Sequence, residues 1–532
     1  MTMLTLRCSF LFAPNPDWSA FYASGGEIFH YLKNVTTRLH LHKHISFGST
    51  VSGATWNEET SKWHLRIRQG PSLEISDQCD ILVNAGGMLN NWTWPKIEGL
   101  SNYQGHIVHS ASWKNDFDFT DKNIAVIGNG SSGIQIVPAL YPKVKHLTTF
   151  IRIPTYITAL QLGSDAIGGA VNKTFSEVEK RAFASDPTTL LSLRKKIQSD
   201  INAAFKGMIR GSDVQQKSHD FNRNAMAAKL AGNSELLQKL LPEYIYGCRR
   251  ATPGAGYLEA LLDEKKTTVV TSPIQTLTED SIVCEDGTRT KVDAIVCATG
   301  FDVSCRPRWP HLGRDHRNLA EEWKTKPRGY LSLCVNGYPN YFTMLGPNTP
   351  IGHGSLVAVI DWAADYILRW CEKIAMEDIR TVDVTREAME DWNVYAQEFL
   401  KTTTWAGGCR SWYKNHQDGS DITALYPGSI LHFHEMTKTL RPEDFKIDYR
   451  SRNRFKFTGN GFTALEETQG ADLAWYLDSP RRHRRRYPRE LDFLRLFDNN
   501  IPRTYTRPSG SKSRRIAIAQ PATYETLDAV TV

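Results

Sequence analysis

A glycine-rich turn within the first quarter of the chain has the spacing of a phosphate-binding loop. Residues 122–127 form a short apolar run typical of a buried parallel strand, and the pattern G-x-G-x-x-G follows at once. Residues 134–141 then have the composition of an apolar helix, whose N-terminus can receive a pyrophosphate. We therefore predict a dinucleotide site; the alternative is a glycine turn in an ordinary strand–helix connection. The predicted site residues are Gly128, Asn129, Gly130, Ser131, Ser132, Gly133 and Ile134.

The end of the next strand indicates which dinucleotide is bound. Residues 146–151 form this strand, and Arg152 and Ile153 follow it. A site for NADH would carry an acidic residue near this point to bind the ribose hydroxyls, whereas an arginine suits the 2′-phosphate of NADPH. We therefore predict NADPH, with Arg152 and Ile153 in the cofactor site. A solvated cation at a strand end is the alternative for Arg152.

Two adjacent arginines, Arg249 and Arg250, lie before a Pro-Gly turn farther along the chain. Taken by themselves, these residues favour a surface salt-bridge cluster. Arginine is also suited to stabilise a negatively charged oxygen, because it stays protonated and presents its charge in a fixed direction. The residues alone leave both interpretations open.

A third pattern precedes the glycine loop and consists of Tyr103, Gly105, His109 and Trp113. It resembles the F-x-G-x-x-x-H-x-x-x-W fingerprint of Baeyer–Villiger monooxygenases, and residues 398–467 resemble the C-terminal region of the fungal type of that family. Tyrosine replaces the usual phenylalanine, and Lys114 stands where the family usually has proline or aspartate. Enzymes of this family use FAD and NADPH to insert one oxygen atom beside a ketone. The resemblance covers roughly residues 10–475.

The resemblance implies roles for residues in several parts of the chain. Arg250 would stabilise the flavin peroxyanion and its tetrahedral adduct with the ketone. Arg249 would reach the 2′-phosphate of NADP beside Arg152. A backbone group near Val51 would lie at the adenine of FAD, and Trp412 would pack near the nicotinamide end. An ordinary buried tryptophan is the alternative for Trp412.

The order of elements and the resemblance predict an α/β fold with two dinucleotide-binding, Rossmann-like domains. Residues 1–105 would be the remaining N-terminal part of the FAD domain, and residues 106–290 the NADP domain, with a helical insertion at about 173–241. Residues 291–478 would complete the FAD domain and the substrate side, followed by a disordered basic tail at 479–532.

No glycine loop with the FAD spacing precedes Tyr103. The resemblance therefore implies an FAD domain that is incomplete at its N-terminus. We expect the chain expressed alone to be poorly soluble or colourless and to lack monooxygenase activity.

Local patterns predict individual elements around these motifs. A helix capped by Asp17 or Ser19 should run to about Leu32, and two or three amphipathic helices should fill the insertion. A short helix is also expected at 491–497 in the tail. Strands are predicted in the N-terminal part at residues 44–51, 63–68 and 80–84.

The distribution of charge excludes a broad nucleic-acid-binding surface on the folded part. The formal net charge of the 532-residue chain is +7, and residues 481–532 hold 12 basic and 5 acidic residues. The remaining 52 basic residues therefore balance the remaining 52 acidic ones. No apolar run approaches the roughly 18 residues that a membrane span requires.

Nine cysteines occur without a C-x-x-C pair, which favours reduced thiols and a cytoplasmic location over a disulfide framework. The function that the resemblance implies is oxidation of a small ketone by NADPH and O2, in fungal secondary metabolism. A monooxygenase that resembles the flavin-containing monooxygenases (FMO-like) or an N-hydroxylating monooxygenase is one alternative. A truncated, non-catalytic NADP-binding remnant is another.

Overall fold

The computed structural model describes residues 8–158, 172–414 and 421–477, and the backbone of residues 3–4 and 516–519. Its N-terminal part contains β1 (Met3–Leu4), β2 (Tyr22–Ala23), α1 (Gly25–Arg38), β3 (Ser49–Asn57), β4 (Lys62–Gln69), β5 (Leu73–Cys79) and β6 (Ile81–Asn84). Strands β3, β4 and β5 form an antiparallel meander. In β4, Trp63 and Leu65 are buried while His64 and Arg66 are exposed, as the alternation of a strand with one covered face requires.

The next elements carry the glycine loop. They are β7 (His106–His109), β8 (Asn123–Ile127), α2 (Ser131–Leu140), β9 (His146–Phe150) and β10 (Ile157–Thr158). Strand β8 leads into the loop, and α2 begins directly after it. The strand, loop and helix are therefore found in the order that the sequence predicted.

The following segment contains four α-helices, where the sequence predicted two or three. They are α3 (Glu177–Ser185), α4 (Pro187–Ala203), α5 (Asp213–Leu230) and α6 (Ser234–Leu240). Each helix begins after a side chain that accepts a backbone N–H from its first turn. These four capping residues are Ser176, Asp186, Ser212 and Asn233. The caps explain why one long helical pattern divides into four helices.

The chain then returns to the sheet through β11 (Thr252–Pro253), α7 (Tyr257–Leu262), β12 (Thr267–Val270), β13 (Ile274–Leu277), β14 (Ser281–Cys284), β15 (Arg289–Lys291) and β16 (Ala294–Cys297). Five strands form a parallel sheet in the order β12-β9-β8-β16-β7. Helices α2 and α7 pack against one face, and the β13-β14-β15 meander packs against the other. Covering both faces buries the central strands β8 and β16, as is usual for parallel sheets.

The rest of the described chain contains β17 (His311–Leu312), α8 (Leu319–Glu322), β18 (Tyr341–Thr343), α9 (Leu356–Met376), β19 (Ile379–Val384), α10 (Arg386–Lys401), α11 (Ile430–Thr437), β20 (Phe445–Tyr449) and β21 (Ile516–Ala519). Strand β6 lies between β18 and β21, and both pairings are parallel. Helix α9 supplies Tyr366 and Trp370 to a second large core. None of the described helices combines the length and apolar character that a membrane crossing requires.

Two expectations about the N-terminal part are wrong in detail. Helix α1 begins at Gly25, because the side chain of Ser24 accepts the N–H of Glu27. The predicted capping residue Ser19 instead donates its hydroxyl to the Glu27 carboxylate, at 2.6 Å. The strand expected at 44–51 begins only at Ser49, because the chain first makes a 3-10 turn at Leu41–His44.

The expectation of a wholly disordered tail is also wrong for four residues. Strand β21 pairs along the full length of β6, from Ile516 opposite Ile81 to Ala519 opposite Asn84. An alternating Ile-Ala segment can take this position because a parallel strand needs backbone pairing and small or branched side chains. The helix predicted at 491–497 lies outside the described residues.

Candidate functional site

The glycine loop between β8 and α2 requires glycine at two positions, at the first because of its backbone angle and at the second because of a close contact. Gly128 has φ +106°, and an added Cβ would lie 2.6 Å from the carbonyl oxygen of Ala298. An added Cβ at Gly133 would lie 2.0 Å from the carbonyl oxygen of Gly128. These contacts show that the loop, the first turn of α2 and the end of β16 are packed directly against one another.

Gly130 differs from these two glycines because an added Cβ there meets no atom within 4 Å. Gly130 is also the N-cap of α2, and no side chain caps the helix. The first backbone N–H groups of α2, at Ser131 and Ser132, therefore remain available as donors beside open space. This arrangement fits the pyrophosphate of a dinucleotide, which needs both close backbone approach and free N–H groups.

The end of β9 is joined to the loop by Asn129. Its Nδ2 donates to the carbonyl oxygen of Ile153 at 3.0 Å. Arg152, directly before Ile153, is exposed. The pKa of Arg152 lies below its usual value, first because its surroundings desolvate it and then because Arg410 and Arg249 add positive charge nearby.

Arg249 reaches the same strand end from the segment before β11. Its Nη1 lies 3.5 Å from the carbonyl oxygen of Ile153 and 3.4 Å from that of Pro154. Tyr244 supports this turn by donating its hydroxyl to the Pro154 carbonyl oxygen at 2.8 Å. The structure thus brings Arg249 beside Arg152, as the resemblance implied, although they are 97 positions apart.

Arg250 is exposed and lies between α2 and the segment around Tyr413. Two residues later, Thr252 Oγ1 lies 2.8 Å from Ser131 Oγ, which ties this segment to the first turn of α2. Burial raises the pKa of Tyr413 to about 12, and the nearby charge of Arg250 acts in the opposite direction. Arg250 therefore belongs to a segment that is tied to the first turn of α2, and its charge acts on Tyr413.

A third arginine, which the sequence analysis missed, completes the positive charge around Arg152. Arg410 is exposed, and its charge acts on Arg152 more strongly than that of Arg249. We call Arg152, Arg249 and Arg410 the arginine cluster. None of them, nor Arg250, forms a salt bridge with a carboxylate in the described part of the chain. This contradicts the salt-bridge interpretation of the Arg249–Arg250 pair.

The expectation of reduced cysteines is wrong for two residues. Cys248 and Cys409 form a disulfide with their Cα atoms 6.2 Å apart, although they are separated by 161 positions. Spacing rules detect only pairs that are close in sequence, and this pair is brought together by the fold. The disulfide therefore joins the segments of Arg249 and Arg410.

Trp412 lies two residues after Arg410 and is half-buried. Its ring centroid is 4.7 Å from that of Tyr413, and it packs at the edge of a cluster with Trp405 and Leu400. Trp412 is thus on the segment that the disulfide fixes to the cofactor side. Its contact with a nicotinamide ring stays a prediction.

The fingerprint residues hold the strands that connect the two predicted domains. Tyr103 donates its hydroxyl to the carbonyl oxygen of Val292 at 2.9 Å, and a Cβ at Gly105 would lie 2.3 Å from that hydroxyl. Trp113 stacks on Phe119 at a centroid distance of 5.3 Å. These contacts are structural and do not reach the glycine loop.

His109 is the fingerprint residue with the most specific contacts. Its Nδ1 accepts the N–H of Ala111 at 3.1 Å, so the proton of the neutral ring is on Nε2 and is donated to Thr299 Oγ1 at 3.2 Å. Burial lowers the pKa of His109, which favours the neutral ring. The ring also stacks on Trp92 at 4.3 Å. His109 therefore links the end of β7 to the segment after β16.

The FAD side is formed by other strands. Val51 lies in β3, paired with Ile67, next to a bulge between Val51 and Gly53; its adenine contact stays a prediction. At the carboxyl end of β6, Asn84 Oδ1 accepts the N–H of Gly86 at 3.0 Å. Gly87 follows with φ +72° and no atom within 4 Å of an added Cβ. An open glycine turn at the carboxyl edge of a parallel sheet fits a bound cofactor.

The chain is similar to flavin-dependent oxygenases in three comparisons. The family described as "Flavin-binding monooxygenase-like" matches residues 5–162. The FAD-binding monooxygenase tazF of Aspergillus terreus is 42% identical over 473 residues, covering 88% of this chain and 83% of that protein. A Baeyer–Villiger monooxygenase of Pseudomonas aeruginosa is 31% identical over 432 residues, covering 81% and 79%.

Solved structures show the same fold. Cyclohexanone monooxygenase from Rhodococcus bound to NADP+ superposes with a TM-score of 0.71 at 22% identity, covering 84% of this chain and 90% of that one. The complex of OTEMO with FAD and NADP gives a TM-score of 0.70 at 22% identity, covering 81% and 86%. The α/β fold with two Rossmann-like domains is thereby confirmed.

Proposed function

Because the chain belongs to the flavin-binding monooxygenases of the Baeyer–Villiger type, we propose that it uses NADPH and O2 to oxidise a ketone to an ester or lactone. The overall reaction converts ketone, O2, NADPH and one proton into ester, NADP+ and water. The relatives tazF and the enzyme of Pseudomonas aeruginosa support the flavin-dependent class. The structure of OTEMO is a complex with FAD and NADP, and that of cyclohexanone monooxygenase is bound to NADP+, which supports these cofactors.

The choice of NADPH as the cofactor is supported above all by the arginine cluster at the end of β9. Three guanidinium groups from distant parts of the chain come together beside the glycine loop without a described carboxylate partner. Like charges repel, so such a cluster is stabilised by an anion of two negative charges. The 2′-phosphate of NADPH supplies this charge, and guanidinium groups match its geometry.

The glycine loop would bind the pyrophosphate of the same NADPH molecule. The free N–H groups of Ser131 and Ser132 would donate to the pyrophosphate, and the open space beside Gly130 would admit its oxygens. Asn129 would keep loop and strand end at a fixed separation through its bond to Ile153. The pyrophosphate would thus be bound by backbone N–H groups of the loop and α2, and the 2′-phosphate by the arginine cluster.

Arg250 is the residue that we propose for the reacting centre. FAD, when bound and reduced by NADPH, supplies the oxygen chemistry. Arg250 would hold negative charge on the transferred oxygen, because it is exposed, unpaired among the described carboxylates and anchored by Thr252 beside α2. His109 would not move protons in this scheme, since both ring nitrogens already have structural partners.

The reaction class is tested with the purified chain, FAD, NADPH and 18O2. The proposal requires that a cyclic ketone give a lactone carrying one 18O atom, with one NADPH oxidised per lactone. This turnover would contradict the expectation from the sequence that the chain alone is inactive. An amine and a thioether serve as competing substrates. N-oxide or sulfoxide without lactone would overturn the ketone assignment in favour of an FMO-like reaction, and absence of bound flavin and turnover would favour a non-catalytic nucleotide-binding protein.

A further inference from the structure

A disulfide connects two segments that each continue with an arginine. Cys248 is followed by Arg249, and Cys409 is followed by Arg410. The two cysteines are buried, with exposed fractions of 0% and 6%, whereas Arg249 is half-buried and Arg410 is exposed. Two cationic side chains therefore extend toward solvent from residues that directly follow the two cysteines of one disulfide.

Both sides of this disulfide are held by further contacts. Arg249 Nη1 contacts the carbonyl oxygens after Arg152, at 3.5 and 3.4 Å. On the other side, Lys414 Nζ donates to the carbonyl oxygen of Cys409 at 3.1 Å and also to that of Gly407. An added Cβ at Gly407 would lie 3.2 Å from Cys248 Sγ, so the segments are in direct contact. The backbone that carries Arg410 is therefore fixed relative to that of Arg249.

We propose that Arg410 is a third cation for the 2′-phosphate of NADPH, held in place by the Cys248–Cys409 disulfide. The inference rests on the proposed use of NADPH and assigns a residue and a bond that select it over NADH. A monoester phosphate carries about −1.5 to −2 charges at pH 7 and has three acceptor oxygens, to which separate guanidinium groups can donate. Arg249 contacts the strand end that follows Arg152, and the disulfide holds the segment of Arg410, 161 positions farther along the chain, beside that of Arg249.

This arrangement makes cofactor preference depend on the state of the disulfide. Reduction by a thiol converts the S–S bond into two S–H groups, and two thiol molecules become one external disulfide. The segment of Arg410 would then be held near Arg249 by noncovalent contacts alone. The pyrophosphate contacts proposed for the glycine loop do not involve this segment, so the binding of adenosine 5′-monophosphate should not change. Trp412 lies on the same segment, and any shift of its ring would act on NADP+ and NAD+ alike.

The state of the cysteines is established first by alkylation of the denatured chain. Without reductant, seven of the nine cysteines should react, because Cys248 and Cys409 are bonded to each other. After reduction, all nine should react. If all nine cysteines react in the denatured chain without reductant, the disulfide is absent and its part in the proposal is overturned.

Binding is then measured by titration of the full chain with NADP+, NAD+, adenosine 2′,5′-bisphosphate and adenosine 5′-monophosphate. Arg410→Ala should weaken NADP+ and the bisphosphate about tenfold, the effect of one lost charge-assisted bond, and leave NAD+ and the monophosphate unchanged. Arg386→Ala is the matched control, because it removes an exposed positive charge on α10 outside the site. Unchanged NAD+ affinity also shows that the variant is folded.

The role of the bond is tested with Cys409→Ser and with the reduced wild-type chain. Both should lose part of the preference for NADP+, and reduction should have no further effect on Arg410→Ala. An Arg410→Ala chain that keeps the wild-type preference would overturn the assignment of Arg410. Equal preference in oxidised and reduced wild type would overturn the role of the disulfide.

The binding measurements distinguish an error in the proposed cofactor from an error in the role given to Arg410. If the chain does not use NADPH, the wild type itself would bind NADP+ no better than NAD+. If only the present inference is wrong, the wild type would prefer NADP+, Arg152→Ala would lose the preference, and Arg410→Ala would keep it.

Discussion

The glycine loop and the arginine cluster lie side by side at the same candidate site, yet they depend on different physical properties. The loop is fixed by backbone sterics, since an added Cβ at Gly133 would overlap the carbonyl oxygen of Gly128. The cluster consists of side chains from three distant segments, each of which can be shortened without moving the backbone. We therefore expect changes in the loop to affect every dinucleotide, and changes in the cluster to alter only the choice among them.

The largest effect is expected for Gly133→Ala. The methyl group would lie 2.0 Å from a backbone oxygen, so the loop or α2 must shift, at a cost of about 3 kcal/mol in the free energy of unfolding. Thermal unfolding and titration with NADP+ and NAD+ should show lower stability and loss of both nucleotides.

Gly130→Ala is the matched control for this change. No atom lies within 4 Å of the added Cβ, so the unfolding temperature should stay at the wild-type value. The methyl group would nevertheless enter the space proposed for the pyrophosphate, and both nucleotides should bind weakly. Equal unfolding temperatures of the two alanine variants would show that sterics do not distinguish the two glycines.

Arg250→Ala should have the next largest effect. Loss of one preorganised electrostatic donor costs about a hundredfold to a thousandfold in rate. Ester formation should fall by this factor, while NADP+ binding and flavin reduction by NADPH stay near wild type, because Arg250 is not in the arginine cluster. Arg250→Lys keeps the charge without the planar fork and should recover part of the rate. Ester formation at a near-normal rate in Arg250→Ala would refute the assignment.

Arg152→Ala tests the cluster itself. A charge-assisted bond to phosphate contributes roughly 1.5 to 3 kcal/mol, so NADPH should bind about tenfold more weakly or worse. NADH affinity should be nearly unchanged, since the loop and the helix N-terminus are intact. Titration with both cofactors measures the difference. Equal losses for NADPH and NADH would show that Arg152 does not bind the 2′-phosphate.

The smallest effect is expected at His109, which belongs to neither the loop nor the cluster. Burial lowers its pKa below the usual 6.5, so the unfolded chain binds a proton more readily than the folded one. The free energy of unfolding should therefore decrease as the pH falls below about 6.5, with a slope of at most one proton. Denaturant unfolding of wild type and His109→Gln measures it. A wild-type slope that survives in His109→Gln must come from another group.

Much of the nucleotide-binding region followed from local sequence patterns. The order of strand, glycine loop and helix depends on neighbouring residues only, and the observed β8 and α2 agree with it. The proximity of Arg249 to Arg152 came from the family resemblance, because nothing local connects them. The burial of strands β8 and β16 follows from their apolar composition.

The features that were missed depend on pairings between distant segments. Strand β5 is mostly exposed and polar, and only its register with β4 makes it a strand. The disulfide joins cysteines that are 161 positions apart, and it links the segment of Arg410 to that of Arg249. The start of α1 was missed for a local reason, because Ser19 and Ser24 are both possible caps.

The same disulfide also constrains the chain when it is unfolded. It closes a loop of 161 residues, which begins in the nucleotide-binding sheet region, passes through β12, β16 and α9, and ends after α10. In the chain-entropy description, closing a loop of this length lowers the conformational freedom of the unfolded ensemble by about 5 kcal/mol at 25 °C. An oxidised chain would therefore unfold with Cys248 and Cys409 still joined, whereas in a reduced chain these two positions could separate to any distance that the intervening residues allow.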